Sequence, residues 1–260
     1  MLDEERSEEE QRVEAEMKRL RMDDPYSLPR QAEVAKIFGL GGGSDACGKK
    51  FVYGPHGQMT CSCAVCVVWK RFVSGQLFGQ RVYEILTVEL IQKLAAHLWG
   101  RSSPHIDNTI LEIGAGSGRL SYFLAQELNA AYECKCELLP LCHQALPHQQ
   151  RISSGDASHT FTRHRDTGKA WDIGVDASKK IRRFQIACTD SSARGLGAEI
   201  GDRFPVEVLG YQEALNKYSP NTVLACWMEL GHDWTAAFRQ TSSMVEYILI
   251  GEADSGVCGR

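Results

Sequence analysis

Residues 109–120, Thr-Ile-Leu-Glu-Ile-Gly-Ala-Gly-Ser-Gly-Arg-Leu, constrain the fold more than any other segment of this chain. A short apolar run indicates a buried strand, three glycines follow at alternate positions, and apolar residues then recur at helical spacing. In a strand, tight glycine loop and helix, the backbone can close around the polar part of a nucleotide-like ligand. The segment therefore predicts an α/β sheet with a ligand-binding loop at the carboxyl end of its first strand.

The spacing of Gly114, Gly116 and Gly118 limits the kind of ligand. A dinucleotide-binding loop has the pattern Gly-x-Gly-x-x-Gly, and here the third glycine comes one residue early. A phosphate-binding P-loop needs Gly-Lys-Ser/Thr, which does not follow. The remaining alternative is a structural turn whose glycines serve only close packing.

Together with Glu112, two residues before the first glycine, this loop resembles the first motif of class I S-adenosylmethionine (SAM) dependent methyltransferases. The resemblance covers about residues 109–251. It implies a Rossmann-like, mostly parallel sheet with helices on both faces, and SAM as the cofactor. The cofactor-binding residues that follow from it lie at the strand ends: Glu112, Gly114, Ala115, Gly116, Ser117, Gly118, Asp190, Ser191, Tyr211, Gln212, Cys226 and Trp227.

The second strand has two candidate positions, which differ in the acid that would hold the cofactor ribose. Glu137 lies at the expected distance from the loop, but its segment alternates charged residues with cysteines and makes a poor buried strand. Residues 184–191 are apolar and end in Asp190-Ser191, so we prefer Asp190. This choice makes residues 131–182 a long insertion, which we interpret as disordered.

Three further strands are expected at residues 204–209, 222–228 and 245–251, with helices between them. By resemblance, the loop after the third strand lies near adenine, so Tyr211 or Gln212 would line that ring. For Tyr211, a purely structural role as a half-buried aromatic residue at the start of a helix is an equally good interpretation. The family adds a helix and an antiparallel hairpin after the fifth strand. We expect this chain to lack that hairpin, which would leave the fifth strand as an exposed edge.

The first hundred residues resemble no family. Residues 1–43 are interpreted as a charged helical extension with a glycine-rich linker, residues 44–104 as a cysteine-containing helical cap, and residues 105–260 as the SAM-binding domain. Helices are expected within residues 3–22, 31–38 and 66–98. The last of these is broken near Gly75 and Gly79 and restarts with Thr87 as its cap.

Cys47, Cys61, Cys63 and Cys66, with His56 among them, form a candidate zinc site. Their spacing is not that of a standard zinc finger because two Cys-x-x-Cys pairs are lacking. Reduced thiols at the start of a helix are the favoured interpretation, and zinc is the alternative.

Composition places the protein among ordinary globular chains of 260 residues. Residues 1–24 carry ten acidic and five basic side chains, a balance of −5, which leaves +1 for the rest of a chain whose net charge is −4. A nucleic-acid partner is therefore not favoured. The start of the chain is not a secretory signal, and no apolar run is long enough to span a membrane. Ten cysteines without a signal peptide indicate a reducing, cytoplasmic location.

The predicted function is methyl transfer from SAM to a small molecule or a protein that the sequence does not identify. Candidate catalytic residues follow the fourth strand: Glu229 or His232 as a base, and Trp234 as a wall of the acceptor site. For His232, an exposed loop position without a catalytic role is an equally good interpretation. The rival hypothesis is an inactive or truncated methyltransferase-like domain that serves as a binding module. A nucleotide-linked oxidoreductase is disfavoured by the glycine spacing, and the sequence leaves the oligomeric state open.

Overall fold

A computed structural model of the chain describes residues 7–38, 63–79, 85–102, 107–134, 162–163, 170–173, 183–191, 204–226, 228 and 232–251. The chain divides into two compact units, Met1–Leu90 and Ile91–Arg260. None of the helices in the described ranges has the length and apolar character needed to cross a membrane.

In its described residues the first unit contains the helices α1 (Glu8–Arg19), α2 (Gln31–Phe38) and α3 (Ala64–Val73). Ser7 caps α1 by accepting the Glu10 N–H at 3.2 Å. The buried core of the unit is formed by Val13, Met17, Leu20, Val34, Ile37, Phe38, Val65, Val68 and Phe72. The thin apolar stripe of the first predicted helix, Val13, Met17 and Leu20, is therefore the face that α1 buries.

A buried ion pair connects the first and third helices of this unit. Arg71 in α3 donates to the Glu14 carboxylate in α1 at 3.0 Å. The Glu14 side chain is only 7% exposed and that of Arg71 is 22% exposed. Water therefore screens this attraction less than it screens the exposed pairs on the outer face of α1.

The fourth helix, α4 (Val88–Arg101), begins where the sequence predicts it. The Thr87 hydroxyl accepts the Leu90 N–H at 3.2 Å, which confirms the predicted cap. Gly75 and Gly79, where the helical pattern was expected to break, have positive φ angles of 80° and 75°. Residues with side chains rarely adopt this backbone conformation, so α3 ends before these glycines.

Seven strands make one sheet within the described part of the second unit. They are β1 (Asp107–Ile113), β2 (Thr162–Arg163), β3 (Ala170–Ile173), β4 (Arg183–Asp190), β5 (Val206–Val208), β6 (Thr222–Cys226) and β7 (Glu246–Ile250). Five of them are parallel, in the order β5-β4-β1-β6-β7. Numbered along the chain, the parallel strands stand in the order 3-2-1-4-5. The predicted parallel, Rossmann-like sheet is thereby confirmed.

The outer edge of β4 is shared by two strands. Its first half pairs antiparallel with β3, and its last three residues pair in parallel with β5. β2 continues the antiparallel side. The sequence pattern predicts no strand within residues 131–182, so β2 and β3 are additions to the expected sheet. The rest of that insertion from residue 135 onward lies outside the described residues, as does Glu137.

Helices cover both faces of the sheet. The first, α5 (Arg119–Cys134), extends into the segment 131–182 that was interpreted as an insertion, and it lies with α4 on one face. This is shown by the Ser121 N–H bond to Glu112 and by the stacking of Trp99 on Phe184. Helices α6 (Tyr211–Tyr218) and α7 (Thr235–Gln240) pack on the other face. The core there consists of Leu111, Ile113, Ala187, Ala214, Leu215, Val223, Ala225 and Phe238.

Two sequence expectations concern the far side of the sheet and the chain end. Among the described strands β7 pairs only with β6, and its Leu249 is 49% exposed. The residues after Gly251 lie outside the described residues, so the expectation of a missing hairpin is not tested.

Replacing Arg71 with Met should lower the free energy of unfolding by about 2–3 kcal/mol, because it removes a charged hydrogen-bond donor from the buried Glu14 carboxylate. Urea denaturation followed by far-UV circular dichroism measures this loss. Arg12→Met is the matched control, since Arg12 pairs with Glu9 at 3.8 Å with side chains 80% and 60% exposed. Equal effects of the two substitutions would contradict a special contribution of the buried pair.

Candidate functional site

The three loop glycines all adopt left-handed backbone conformations. Their φ angles are 69° at Gly114, 52° at Gly116 and 72° at Gly118. A Cβ atom makes this conformation cost about 1–2 kcal/mol per residue. The alternating glycine pattern is therefore what allows the chain to turn from β1 into α5 within five residues.

The loop is attached to the carboxyl end of the neighbouring strand β4. The Ala115 N–H donates to the Thr189 carbonyl at 3.0 Å, and the Gly116 N–H donates to the Asp190 carboxylate at 2.9 Å. Within the loop, the Gly118 N–H donates to the Ala115 carbonyl at 2.8 Å. Asp190 thus ends the strand next to β1 and lies directly beside the glycine loop, and its role toward a cofactor ribose stays a prediction.

The space around the glycines differs from one to the next. A Cβ on Gly118 would lie 2.9 Å from Val206 Cγ2, so the start of α5 packs against β5 without room for a methyl group. A Cβ on Gly116 would meet no heavy atom of the described residues within 4 Å. Among the described residues, none therefore fills the space beside Gly116, whose N–H contacts Asp190.

Glu112 lies beneath the loop and is almost completely buried, with 2% of its surface exposed. Its Oε2 accepts the Ser121 N–H of α5 at 3.1 Å and the Cys188 thiol at 3.6 Å. Burial raises the pKa of Glu112 to about 7, and the charge of Asp190 adds to this rise, whereas the hydrogen bonds from Ser121 and Cys188 oppose it. The Glu112 carboxyl group therefore titrates near neutral pH.

Cys188 and Ser121 were not predicted as parts of this site. Cys188 is fully buried and stands opposite Glu112 in the register of β4 with β1. Burial raises the pKa of the Cys188 thiol well above its usual range, so the thiol stays protonated and can donate to Glu112. Only the strand register brings the two side chains together, and a single sequence does not contain that register.

An aromatic pair stands beside the first glycine. The rings of Tyr211 and Trp234 are stacked with centroids 5.7 Å apart and an interplanar angle of 20°. A Cβ on Gly114 would lie 3.2 Å from Trp234 Cη2. Gln212 is exposed and its amide donates to the Tyr211 hydroxyl at 3.3 Å. The structure therefore brings together two aromatic residues that the sequence assigned to separate parts of the site.

The remaining predicted site residues differ in exposure. Ser117 is half-buried, Ser191 and His232 are exposed, and Cys226 is buried at the end of β6. Trp227 and Glu229 lie outside the described residues. Met228, which was not predicted, is buried, and its Sδ accepts the Trp234 N–H at 3.2 Å.

The cysteine cluster for which zinc is the alternative lies mostly outside the described residues, which exclude Cys47, Cys61 and His56. Cys63 immediately precedes α3 and is half-buried, and Cys66 is buried in the first turn of that helix. In the part of the chain that is described, no group of three or more His, Cys, Asp and Glu side chains is arranged to hold a metal ion. Reduced thiols therefore stay the favoured prediction, and zinc stays the alternative.

A comparison of the chain with protein-family models, curated proteins and solved structures finds no match. Similarity to known proteins therefore assigns no family to the chain. What can be stated of its class comes from the structure, which shows a parallel α/β sheet with a glycine loop at its carboxyl edge.

Gly118→Ala should destabilise the protein more than Gly116→Ala, although both positions have positive φ angles. Backbone strain costs about 1–2 kcal/mol at either position. At Gly118 the clash with Val206 adds about another 1–3 kcal/mol. Thermal and urea unfolding of the two variants measure the difference. Equal losses would mean that the contact between the loop and β5 is not tight.

The buried Glu112 predicts a specific pH dependence of stability. Because its folded-state pKa of about 7 exceeds the ordinary 4.5, folding favours the protonated form. The stability that the protonated Glu112 adds to the folded state is fully present below about pH 4.5 and is lost as the pH rises through 7. The loss is on the order of 3 kcal/mol, from 1.36 kcal/mol per pKa unit.

Glu112→Gln removes this titration while it keeps an oxygen that can accept the Ser121 N–H. The difference in unfolding free energy between the variant and the wild type should therefore shift in favour of the variant between pH 5 and pH 8. Urea titrations at several pH values measure it, with the exposed Glu9→Gln as a control for the loss of one carboxylate. Parallel pH profiles for wild type and Glu112→Gln would contradict the buried titration.

Proposed function

We propose that the chain is a class I SAM-dependent methyltransferase, with the cofactor bound at the glycine loop after β1. The observation that carries this proposal is the hydrogen bond from the Gly116 N–H to the Asp190 carboxylate at 2.9 Å. A carboxylate at this point gives the loop a negative partner on the adjacent strand end. This arrangement suits a ligand that presents hydroxyl groups and positive charge.

The engaged loop amides also argue against a phosphate ligand. Phosphate-binding loops direct free backbone N–H groups at the anion. Here the N–H groups of Ala115, Gly116 and Gly118 are used within the protein, and one of them bonds to a carboxylate. A diphosphate at this position would meet the charge of Asp190. The hydrogen bonds of the loop amides therefore support SAM, the ligand inferred from the glycine spacing, over a dinucleotide.

The residues present fit SAM. No heavy atom of the described residues lies within 4 Å of a Cβ placed on Gly116, and the Asp190 carboxylate accepts the N–H of the same residue. At this strand end Asp190 would accept the ribose hydroxyls. Tyr211 and Gln212 begin α6 after β5, in the loop expected near adenine. Glu112 would act from beneath the loop, where it holds the first turn of α5 through Ser121.

SAM supplies an activated methyl group, so the protein mainly has to align the acceptor and accept a proton where the acceptor loses one. His232 is exposed and lies in the loop that follows β6, two residues before Trp234. We expect His232 or Glu229 to take the proton, and we expect Trp234 to limit the acceptor side of the site. Both roles rest on the proposed cofactor position.

Isothermal titration calorimetry with SAM and with S-adenosylhomocysteine tests the cofactor. Both ligands should bind the wild type. Asp190→Asn should weaken both by about tenfold or more, because the amide replaces a charged hydrogen-bond acceptor. The amide oxygen of the introduced side chain can still accept the Gly116 N–H, so the loop should keep its conformation.

Glu246→Gln is the matched control. Glu246 is also a partly buried carboxylate at a strand end, but it lies at the amino end of β7, where it contacts His97 at 3.0 Å. This variant should bind both ligands as the wild type does. Absence of heat with either ligand at high wild-type concentration would overturn the cofactor proposal. Binding of SAM without transfer of labelled methyl groups to any tested acceptor would instead favour the binding-module hypothesis.

A further inference from the structure

The outer edge of β7 differs from the opposite side of the sheet. β7 has five residues, Glu-Tyr-Ile-Leu-Ile, and only the first of them is charged. On the opposite side, the outermost strands β2 and β5 have two and three residues, and each contains a charged residue. Short strands and charged residues are what protects a sheet edge from pairing with another chain. Among the described edge strands, β7 alone is long and uncharged over most of its length.

The exposed hydrophobic surface is concentrated at the same edge. In the described ranges, three large hydrophobic side chains are exposed, Val208 at 64%, Val245 at 61% and Leu249 at 49%. Two of the three lie in β7 or directly before it. Exposed apolar groups beside an open strand edge mark a surface that gains from contact with another chain.

The hydrogen bonds between β6 and β7 show which backbone groups point outward. The carbonyl of Asn221, directly before β6, accepts the N–H of Glu246 at 3.2 Å, and the parallel register with β6 continues to Ile250. Backbone groups of successive residues point to opposite sides of a strand. The N–H and C=O groups of Tyr247 and Leu249 therefore point away from β6, and none of the described strands pairs with them.

These outward groups are arranged symmetrically about Ile248. When a second β7 lies antiparallel beside the first with Ile248 opposite Ile248, Tyr247 of each copy stands opposite Leu249 of the other. Each of these two pairs exchanges two N–H···O bonds, so that the outward groups of both strands are satisfied. The strand is therefore complementary to its own copy, as the isologous interface of a two-fold dimer requires.

The side chains of β7 also suit this register. Tyr247 and Leu249 share one face of the sheet, on which the Tyr247 ring contacts Phe238 of α7 with centroids 5.6 Å apart. The antiparallel register places the tyrosine of one copy against the exposed leucine of the other. Cross-strand pairs of an aromatic with an aliphatic side chain stabilise a sheet.

No like charges oppose one another in this register. Glu246 stands opposite Ile250 of the second copy rather than opposite the second Glu246. Its carboxylate already contacts His97 at 3.0 Å and Arg101 at 3.8 Å within its own chain. A parallel arrangement of the two strands would instead bring the two glutamates side by side, which is unfavourable. Charge therefore favours the antiparallel pair.

We propose that two copies of this chain associate by antiparallel pairing of their β7 edges, which joins the two sheets into one. The second copy supplies the hydrogen-bond partners of Tyr247 and Leu249 and covers the exposed Leu249 side chain. A five-residue edge is small beside the roughly 800 Å² per partner of a standard interface, so the dimer is weak and reversible. This inference does not depend on which ligand the glycine loop binds.

Sedimentation velocity of the full chain at about 1–200 μM tests the association, with an expected dissociation constant on the order of 10 μM. Leu249→Lys should weaken the dimer about tenfold or more, because a lysine at a strand edge opposes pairing. The side chain is half exposed, so the monomer should keep its fold, which circular dichroism checks. Val208→Lys is the matched control at the opposite side of the sheet and should leave the dissociation constant unchanged.

Disulfide trapping tests the register. Ile248→Cys places two cysteines opposite each other at a position where paired Cα atoms are about 4.5 Å apart, within the range of a disulfide. Oxidised glutathione should therefore link two Ile248→Cys chains through residue 248, which mass spectrometry of proteolytic peptides locates. Ile250→Cys is the control, because its two cysteines stand four residues apart across the interface, about 13 Å, and should not be linked.

Three results would overturn the inference. The first is a wild type that stays monomeric over the whole concentration range, whichever segment of the chain then covers the edge. The second is a dimer that Leu249→Lys and Val208→Lys leave equally strong, since another surface would then form it. The third is the absence of a link at residue 248, or an equal link at residue 250. This last result decides the question even where Leu249→Lys fails to fold.

Discussion

The attachment of the glycine loop to the end of β4 is the interaction on which the candidate site depends. Two loop amides, at Ala115 and Gly116, donate to Thr189 and Asp190, so the loop conformation requires β4 to lie beside β1. The absence of a side chain at Gly118 then lets α5 start against Val206. Strand order, loop conformation and helix position are therefore one coupled arrangement rather than three independent features.

This arrangement places a carboxyl group where charge is unfavourable. Glu112 is buried beneath the loop, and its bonds to Ser121 and Cys188 offset only part of the cost of desolvation. A nonpolar side chain would avoid that cost but would leave the Ser121 N–H at the start of α5 without its acceptor. Perturbed acids are frequent at functional sites, which is consistent with a ligand-binding role for this loop.

The elements with strong local signals were predictable from sequence. The helix Gln31–Phe38 has the bounds that its apolar spacing predicts, and the apolar run ending at Asp190 is the strand beside β1. The partners of short or distant segments were not predictable. Ala170–Ile173 is too short for a periodic pattern, and the Glu14–Arg71 pair spans 57 residues. Stacking of Tyr211 on Trp234 likewise depends on tertiary structure, because neither residue's neighbours specify it.

The combination of a carboxylate with an aromatic ring also explains why glycine spacing alone is a poor guide to the ligand. Loops of similar backbone shape bind anions when their amides are free and lose that capacity when the amides are engaged. In this chain Asp190 takes the Gly116 amide, and Trp234 covers Gly114. Both contacts come from other strand ends. The groups that surround the loop therefore come from residues 74 and 120 positions away from the glycines that they contact, and the glycine motif itself determines only the backbone conformation.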